Sequence, residues 1–195
     1  ETIAIFKFEP KRLAEVRGIS ENGAKEMAEE FNSKWELWQI VGFLEKFGIN
    51  ASNSKKVYET FGKDAIAEIE ANPYMLLDIT YGVDFKKIDK MALDYGVAIN
   101  SLKRINSGIK YALIQTTYNG HSSVLLQNLE EYVVSLLNVS IEEVENSIIN
   151  LKAKGEIVIE QRDDDLEWVY LESFYNTEMA IARRLIKLDN SQNSK

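Results

Sequence analysis

The residues with the clearest chemical potential are three glycine corners, Gly18-Ile19-Ser20, Gly48-Ile49-Asn50 and Gly82-Val83-Asp84. Each sets a Gly and a β-branched aliphatic residue before a short polar one. Each opens a stretch, Gly18–Asn32, Gly48–Gly62 and Gly82–Gly96, with apolar residues at helical spacing: Met27, Val57 and Met91, then Phe31, Phe61 and Tyr95 four residues later. Glycine takes tight turns that other residues resist, and the helix start that follows has backbone N–H groups without intrahelical partners. Main-chain donors so arranged can hold a phosphate or another anion. The candidate contact residues are Gly18, Ile19, Ser20, Gly23 and Lys25 in the first copy, Gly48, Asn50 and Lys55 in the second, and Gly82, Lys86 and Lys87 in the third. Lys25 and Lys55 occupy equivalent positions. A side chain at the third place of each corner narrows the approach of an anion, and Asp84 repels one unless it serves only as a helix N-cap. The first corner is therefore the most competent and the third the least. The competing reading is that the corners are packing units, with particular weight for the second and third copies.

These corners need helices to hold them. Pro10 and Pro73, the only prolines, sit at matching places in Glu1–Val16 and Asp64–Ile79, ahead of a repeated Gly, and each suits the first turn of a short helix. The unit of a proline-initiated helix, a turn and a second helix recurs at about sixty residues. Between the first two corners, Lys34–Phe47 has Trp35, Trp38, Val41, Leu44 and Phe47 at helical spacing, which predicts a helix there with both tryptophans filling a core rather than stacking on bases.

The character changes after Gly96. Asn100-Ser101 starts a helix over Leu102–Tyr118, which Asn119-Gly120 breaks; His121–Leu126 is extended, and Asn128–Leu137 is a second helix. Ser140 with Glu143 forms a capping box opening a third helix that runs to Lys154, where Gly155 stops it. Ile157–Ile159 and Trp168–Leu171 flank Gln161–Asp165 as a β-hairpin with an acidic tip, Asp163-Asp164-Asp165. A last helix covers Asn176–Leu188, and Asn190–Lys195 is a polar tail that frays. The fold class read from this order is mainly α: tandem helix-hairpin-helix repeats over 1–98, then a winged-helix-like α+β domain with a small β-hairpin and a C-terminal helix over 99–190, then a disordered tail over 191–195.

Composition limits the chemistry. The chain has 195 residues, 45% hydrophobic and 28% charged, as in an ordinary globular protein. It has no cysteine and a single histidine, His121, which leaves thiolate chemistry and a His-based zinc site without ligands. His121 is read as a structural hydrogen-bonding residue. The net charge is −8. Lys plus Arg against Asp plus Glu gives 13 versus 17 in residues 1–100 and 10 versus 14 in residues 101–195, so each half stands at −4. No dense positive surface is available for strong non-specific nucleic-acid binding. No apolar run reaches bilayer length and no signal segment opens the chain, so no membrane partner is expected and the default compartment is the cytoplasm. The chain opens on Glu1 rather than Met and is read as a piece of a longer polypeptide. No Gly-Xaa-Ser-Xaa-Gly, dinucleotide fingerprint or metal-ligand spacing is present, so no enzyme activity is expected of the piece.

Val16-Arg17-Gly18-Ile19 with Ala24 resembles the helix-hairpin-helix family, whose hairpin amides hold successive phosphates of a DNA strand without reading bases. Every copy departs from that pattern at its second Gly, which is Ser20, Asn50 or Asp84 here. The order ANPYMLLDITYGVDFKKIDKMA, RINSGIKYAL, NGHSSVLL and YNTEMAIARRL resembles the N-terminal region of bacterial RecD-like DNA helicases, of the RecD/TraA type or exodeoxyribonuclease V alpha subunit-like. That resemblance implies a non-catalytic accessory region of an ATP-dependent 5′-to-3′ helicase in DNA repair or recombination. Its partners would be DNA, bound weakly and without sequence preference, the parent's own motor domains and other repair proteins. ATP and Mg would belong only to the motor. The phosphate loop such a motor needs has no match here: Phe61-Gly62-Lys63-Asp64 lacks its first Gly and its hydroxyl.

A winged helix usually reads DNA through its recognition helix and wing, but Glu142, Glu143 and Glu145 and the wing-tip aspartates would repel a duplex, which favours a packing or protein-contact role. The alternative for the whole chain is a protein-interaction or motor-docking module with little direct DNA binding. An independent winged-helix regulator would need a basic recognition helix that this sequence lacks. Arg183, Arg184 and Lys187 form the densest late basic cluster, read either as a solvated helix face or as the connection into the motor.

Overall fold

The structure, a computed structural model, describes residues 2–80, 82–162 and 165–192. The expected wing-tip residues Asp163 and Asp164 and the tail residues 193–195 lie outside the described residues. The chain is mainly helical and divides into two compact units, Glu1–Tyr95 and Gly96–Lys195.

The described part of the first unit is helical throughout. Helix α1 (Thr2–Phe8) is followed by a 3-10 turn at Pro10–Glu15, and then by α2 (Glu21–Glu45). Helix α3 (Ala51–Phe61), a short 3-10 turn, α4 (Ala65–Ala71), a second proline-led 3-10 turn at Pro73–Met75, α5 (Leu76–Ile79) and α6 (Phe85–Asp94) complete it. Both prolines stand at the first helical position, where the missing N–H has no partner to lose.

Helix α2 departs from the expected arrangement. The first corner's helix and the helix expected over Lys34–Phe47 are one continuous 25-residue helix. Asn32-Ser33 does not break it because both side chains find partners. Ser33 Oγ donates to the Glu30 carbonyl at 2.9 Å, and Asn32 Nδ2 donates to the Phe6 carbonyl at 3.4 Å. The two ends of α2 bury different sides. Ala24 and Ala28 pack with Leu13 near α1 and the first proline turn, whereas Ile40 and Leu44 are buried toward α3 and α4. At about 100° per residue those pairs point to nearly opposite sides of the helix. Met27 and Trp38 fall on a flank that neither packing covers, and they are 44% and 64% exposed. The core role expected for Trp38 is therefore wrong. Trp35 is half-buried, stacked on Phe31 at 5.7 Å.

The second unit contains α7 (Leu102–Tyr118), β1 (Ser123–Leu125), α8 (Leu126–Leu137), α9 (Ile141–Ala153), β2 (Ile157–Gln161), β3 (Glu167–Leu171) and α10 (Glu172–Gln192). The strands form an antiparallel sheet in the order β1-β3-β2, with Val169 paired to both Val124 and Ile159. Its punctuation is local. Ser101 caps α7 by accepting from the Arg104 N–H, and Ser140 and Glu143 form the reciprocal capping box of α9. Gly155, at φ 70°, ends α9: its N–H bonds the Lys152 carbonyl while the Glu156 N–H bonds that of Leu151. Ile105, Ile109, Leu129, Val133, Val144 and Leu151 are buried where α7, α8 and α9 pack. Gly108 permits the closest approach, since a Cβ there would lie 2.8 Å from Leu137 Cδ1.

Helix α10 starts at Glu172 rather than Asn176, directly after β3, and Asn176 Nδ2 donates back to the Glu172 carboxylate. It also runs through Ser191 and Gln192, which were expected in the tail. His121 is exposed, and its backbone N–H bonds the Thr116 carbonyl at 3.1 Å.

Burial pushes the Glu130 carboxyl on α8 above the usual carboxylate range, with the charges of Glu145 and Glu167 adding to the effect. A carboxyl whose folded pKa is raised opposes folding above that pKa, and the opposition disappears as pH falls through it. Glu130→Gln should therefore melt at a higher temperature than the parent at pH 7, and the gap should close toward about pH 4. Melting curves at the two pH values check this; coincident curves at pH 7 contradict it.

Candidate nucleic-acid interface

The three corners share one local geometry. Gly18, Gly48 and Gly82 have φ values of 98°, 70° and 67°, in the left-handed region, and all three are exposed. Two residues on, the polar side chain that replaces the second glycine is the N-cap of the following helix. Ser20 Oγ accepts from the Gly23 N–H at 3.0 Å, Asn50 Oδ1 from the Asn53 N–H at 2.9 Å, and Asp84 Oδ1 from the Lys86 N–H at 3.0 Å. The departure from the double-glycine pattern therefore has a structural cause: the capping oxygen takes one of the amides that an anion could otherwise use.

The corners differ in which donors remain. At the first, the Ile19 N–H bonds the Val16 carbonyl and the Ala24 N–H that of Ser20, while Gly18, Ser20, Glu21 and Asn22 have no backbone partner among the described residues. At the second, the Gly48 N–H bonds the Glu45 carbonyl at 2.9 Å and the Ile49 N–H that of Leu44 at 3.1 Å. This is the paired C-terminal closure of α2, so the second glycine ends a helix and its own amide is used internally. Amides of Asn50, Ala51 and Ser52 remain unbonded among the described residues. At the third, the Lys87 and Ile88 N–H groups both bond the Asp84 carbonyl.

The lysines fall into different settings. Lys25 and Lys55 are exposed at matching positions, and each stands near a glutamate one turn on: Glu29 at 3.9 Å and Glu59 at 3.7 Å. Such surface pairs are worth about 0.5 kcal/mol or less and yield readily to a phosphate. The equivalent residue of the third copy is Asp89, buried and accepting from Tyr74 Oη at 2.6 Å. Lys86 is exposed beside the third corner. Lys87 reaches the second: a Cβ on Gly48 would lie 2.9 Å from its Nζ. Its ammonium thus stands at the C-terminal end of α2, where helix carbonyls carry partial negative charge. Sequence reading missed both facts. Aligning the copies places Asp89 opposite Lys25 and Lys55, which was a readable signal; the reach of Lys87 across the fold had none.

In the second unit, Glu143 is committed to capping. The backbone N–H of Ser140, and then its hydroxyl, hold its carboxyl below the usual range. Glu142 and Glu145 are exposed on the same helix. At the base of the β2–β3 hairpin, the Arg162 guanidinium lies 4.2 Å from the Trp168 ring centroid and donates to Tyr170 Oη.

Residues 33–123 match the family model described as the ATP-dependent RecD2 DNA helicase HHH domain. The match runs from the middle of α2 to the start of β1. It takes in the corners at Gly48 and Gly82, and the corner at Gly18 precedes it.

Proposed function

Because the chain carries the helix-hairpin-helix region of a RecD-like DNA helicase, we propose that it is a non-catalytic accessory region that guides DNA to the motor of an ATP-dependent 5′-to-3′ helicase. The first and second corners contact the sugar–phosphate backbone without reading bases, Lys25 and Lys55 lie beside those contacts, and the third corner serves packing. The Gly96–Lys195 unit is a winged-helix-type module that packs against protein rather than entering a groove. The setting is bacterial DNA repair or recombination in the cytoplasm, and ATP and Mg act at the motor. No helix of the described residues is long and apolar enough to cross a membrane.

The observation that carries this reading is the exposed corner at Gly18, with amides of Gly18, Ser20, Glu21 and Asn22 unbonded among the described residues at the start of a 25-residue helix. Titration with single-stranded, duplex and forked DNA at low salt tests it: weak binding to at least one substrate is expected, and no binding to any overturns it. In Lys25→Gln/Lys55→Gln, binding should weaken and the slope of log affinity against log salt should flatten by about 1.8 on duplex or 1.4 on a single strand, one phosphate per lysine. An unchanged slope removes those lysines from the interface.

A second reading, docking onto the parent's own motor, is favoured by α10. Ile181, Leu185, Ile186 and Leu188 are more than half exposed there, beside Arg183, Arg184 and Lys187.

A further inference from the structure

Trp38 is 64% exposed on the flank of α2 that neither of its packing contacts covers. Its neighbour Trp35 is occupied: Phe31 stacks on it at 5.7 Å, Phe6 stacks on Phe31 at 4.4 Å, and Lys7 Nζ lies 5.4 Å from the Trp35 ring centroid. Trp38 has no ring or cation partner among the described residues. One turn later, Gly42 is exposed, and a Cβ there would meet nothing within 4 Å, so one side of the indole opens onto free space. One turn earlier stands Lys34, exposed and paired with Glu30 at 2.6 Å.

We infer that Trp38 is a stacking platform for an unpaired base of the DNA strand that the glycine corners hold. The inference rests on the backbone-contact reading above and adds to it the kind of strand preferred. Its surroundings favour a base over a protein partner. The exposed residues Lys34, Gln39, Gly42 and Glu45 around it are polar or lack a side chain, and its apolar neighbours one turn away, Trp35 and Val41, are half-buried, so the indole is the one fully presented ring there rather than part of a broad apolar docking patch. A lone ring suits base stacking, which tolerates any sequence because every base has a π-face. Position agrees with this. Trp38 stands about 10 Å along the axis from Glu45, the last residue of α2. Directly beyond lies the Gly48 corner with the Lys87 ammonium against it, so the ring stands within a few nucleotides' length of a strand held at that corner. Duplex bases are stacked on one another and have no face to offer, so the platform distinguishes an unpaired strand from a duplex.

The test compares the full chain with Trp38→Ala and Trp38→Phe for binding to labelled oligothymidylate and to a closed-ended duplex with the same number of phosphates. On the single strand, Trp38→Ala should lose affinity by about tenfold or more while Trp38→Phe retains most of it. On the duplex, all three should bind alike. In a Trp168→Phe background, oligothymidylate should quench the remaining fluorescence, and Trp38→Phe should abolish most of that quenching. Parental affinity of Trp38→Ala for oligothymidylate overturns the platform and leaves the backbone reading standing. Equal loss on both substrates also overturns it, because the contact would then not be to bases. If the parent binds neither substrate, the platform falls, and the backbone reading falls with it only when forked DNA also fails to bind.

Discussion

Arg104→Leu should destabilise the Gly96–Lys195 unit by about 3 kcal/mol, a fall in melting temperature on the order of 15 °C for a unit of this size. Arg104 is 4% exposed, in the first turn of α7. Its guanidinium donates to the Ile99 carbonyl at 2.7 Å and to the Leu137 carbonyl at 3.1 Å. Leu137 is the last residue of α8, where the chain turns through Asn138 in the left-handed region. Carbonyls at a helix C-terminus have no intrahelical donors and carry the negative end of the helix dipole, so a buried cation there satisfies the acceptor and is itself stabilised. Leucine fills much of the space and leaves the Leu137 carbonyl buried without a donor. Lysine restores the charge but cannot fork to two carbonyls and should recover only part of the loss. Denaturant unfolding in a Trp35→Phe/Trp38→Phe background isolates the signal of Trp168 on β3. A leucine variant within about 0.5 kcal/mol of that background would show that the fork contributes little.

Arg104 also marks the limit of what was legible in the sequence. The second unit's elements could be read because their ends carry their own chemistry: Ser101 before α7, Ser140 with Glu143 before α9, and Gly155 after it. Each acts over three or four residues. What lay beyond reach depended on contacts far apart in the chain. Arg104 is 33 residues from its partner Leu137, and a basic residue in a helix's first turn reads as a solvated one. That the first corner's helix runs on through Asn32-Ser33 into Lys34–Phe47 rests in part on a carbonyl of α1 that accepts from Asn32. The expected burial of Trp38 failed because helical spacing finds an apolar face without revealing that α2 is packed from two sides. The corners themselves were legible: a positive-φ glycine and a polar cap are properties of adjacent residues. Whether their amides remain open was not, because at Gly48 that depends on where α2 ends.

The third corner shows how far such a motif can be retained as scaffold. Its capping bond, from the Lys86 N–H to Asp84, is exposed, and removing it with Asp84→Ala should cost about 1 kcal/mol. The next residue matters more. Phe85 is 1% exposed at the first position of α6, and its ring stacks on Tyr74 at 6.1 Å. Tyr74 in turn donates to the buried Asp89 one turn further along α6. Phe85→Ala leaves a cavity the size of an aromatic ring beside that hydrogen bond and should cost the Glu1–Tyr95 unit about 4 kcal/mol. The first and second copies have Glu21 and Ala51 at the equivalent place, both exposed. The third helix start is therefore anchored by a ring driven into the core, whereas the other two are held by their caps and by packing further along the helix. The corresponding substitutions, Glu21→Ala and Ala51→Gly, should change stability by no more than about 1 kcal/mol. Unfolding followed by Trp35 and Trp38 in a Trp168→Phe background measures all four. A Phe85→Ala loss no larger than that of Asp84→Ala would mean that the turn, and not the ring, holds the third corner in place, and would return its Gly82 and Lys86 to the set of residues positioned for DNA.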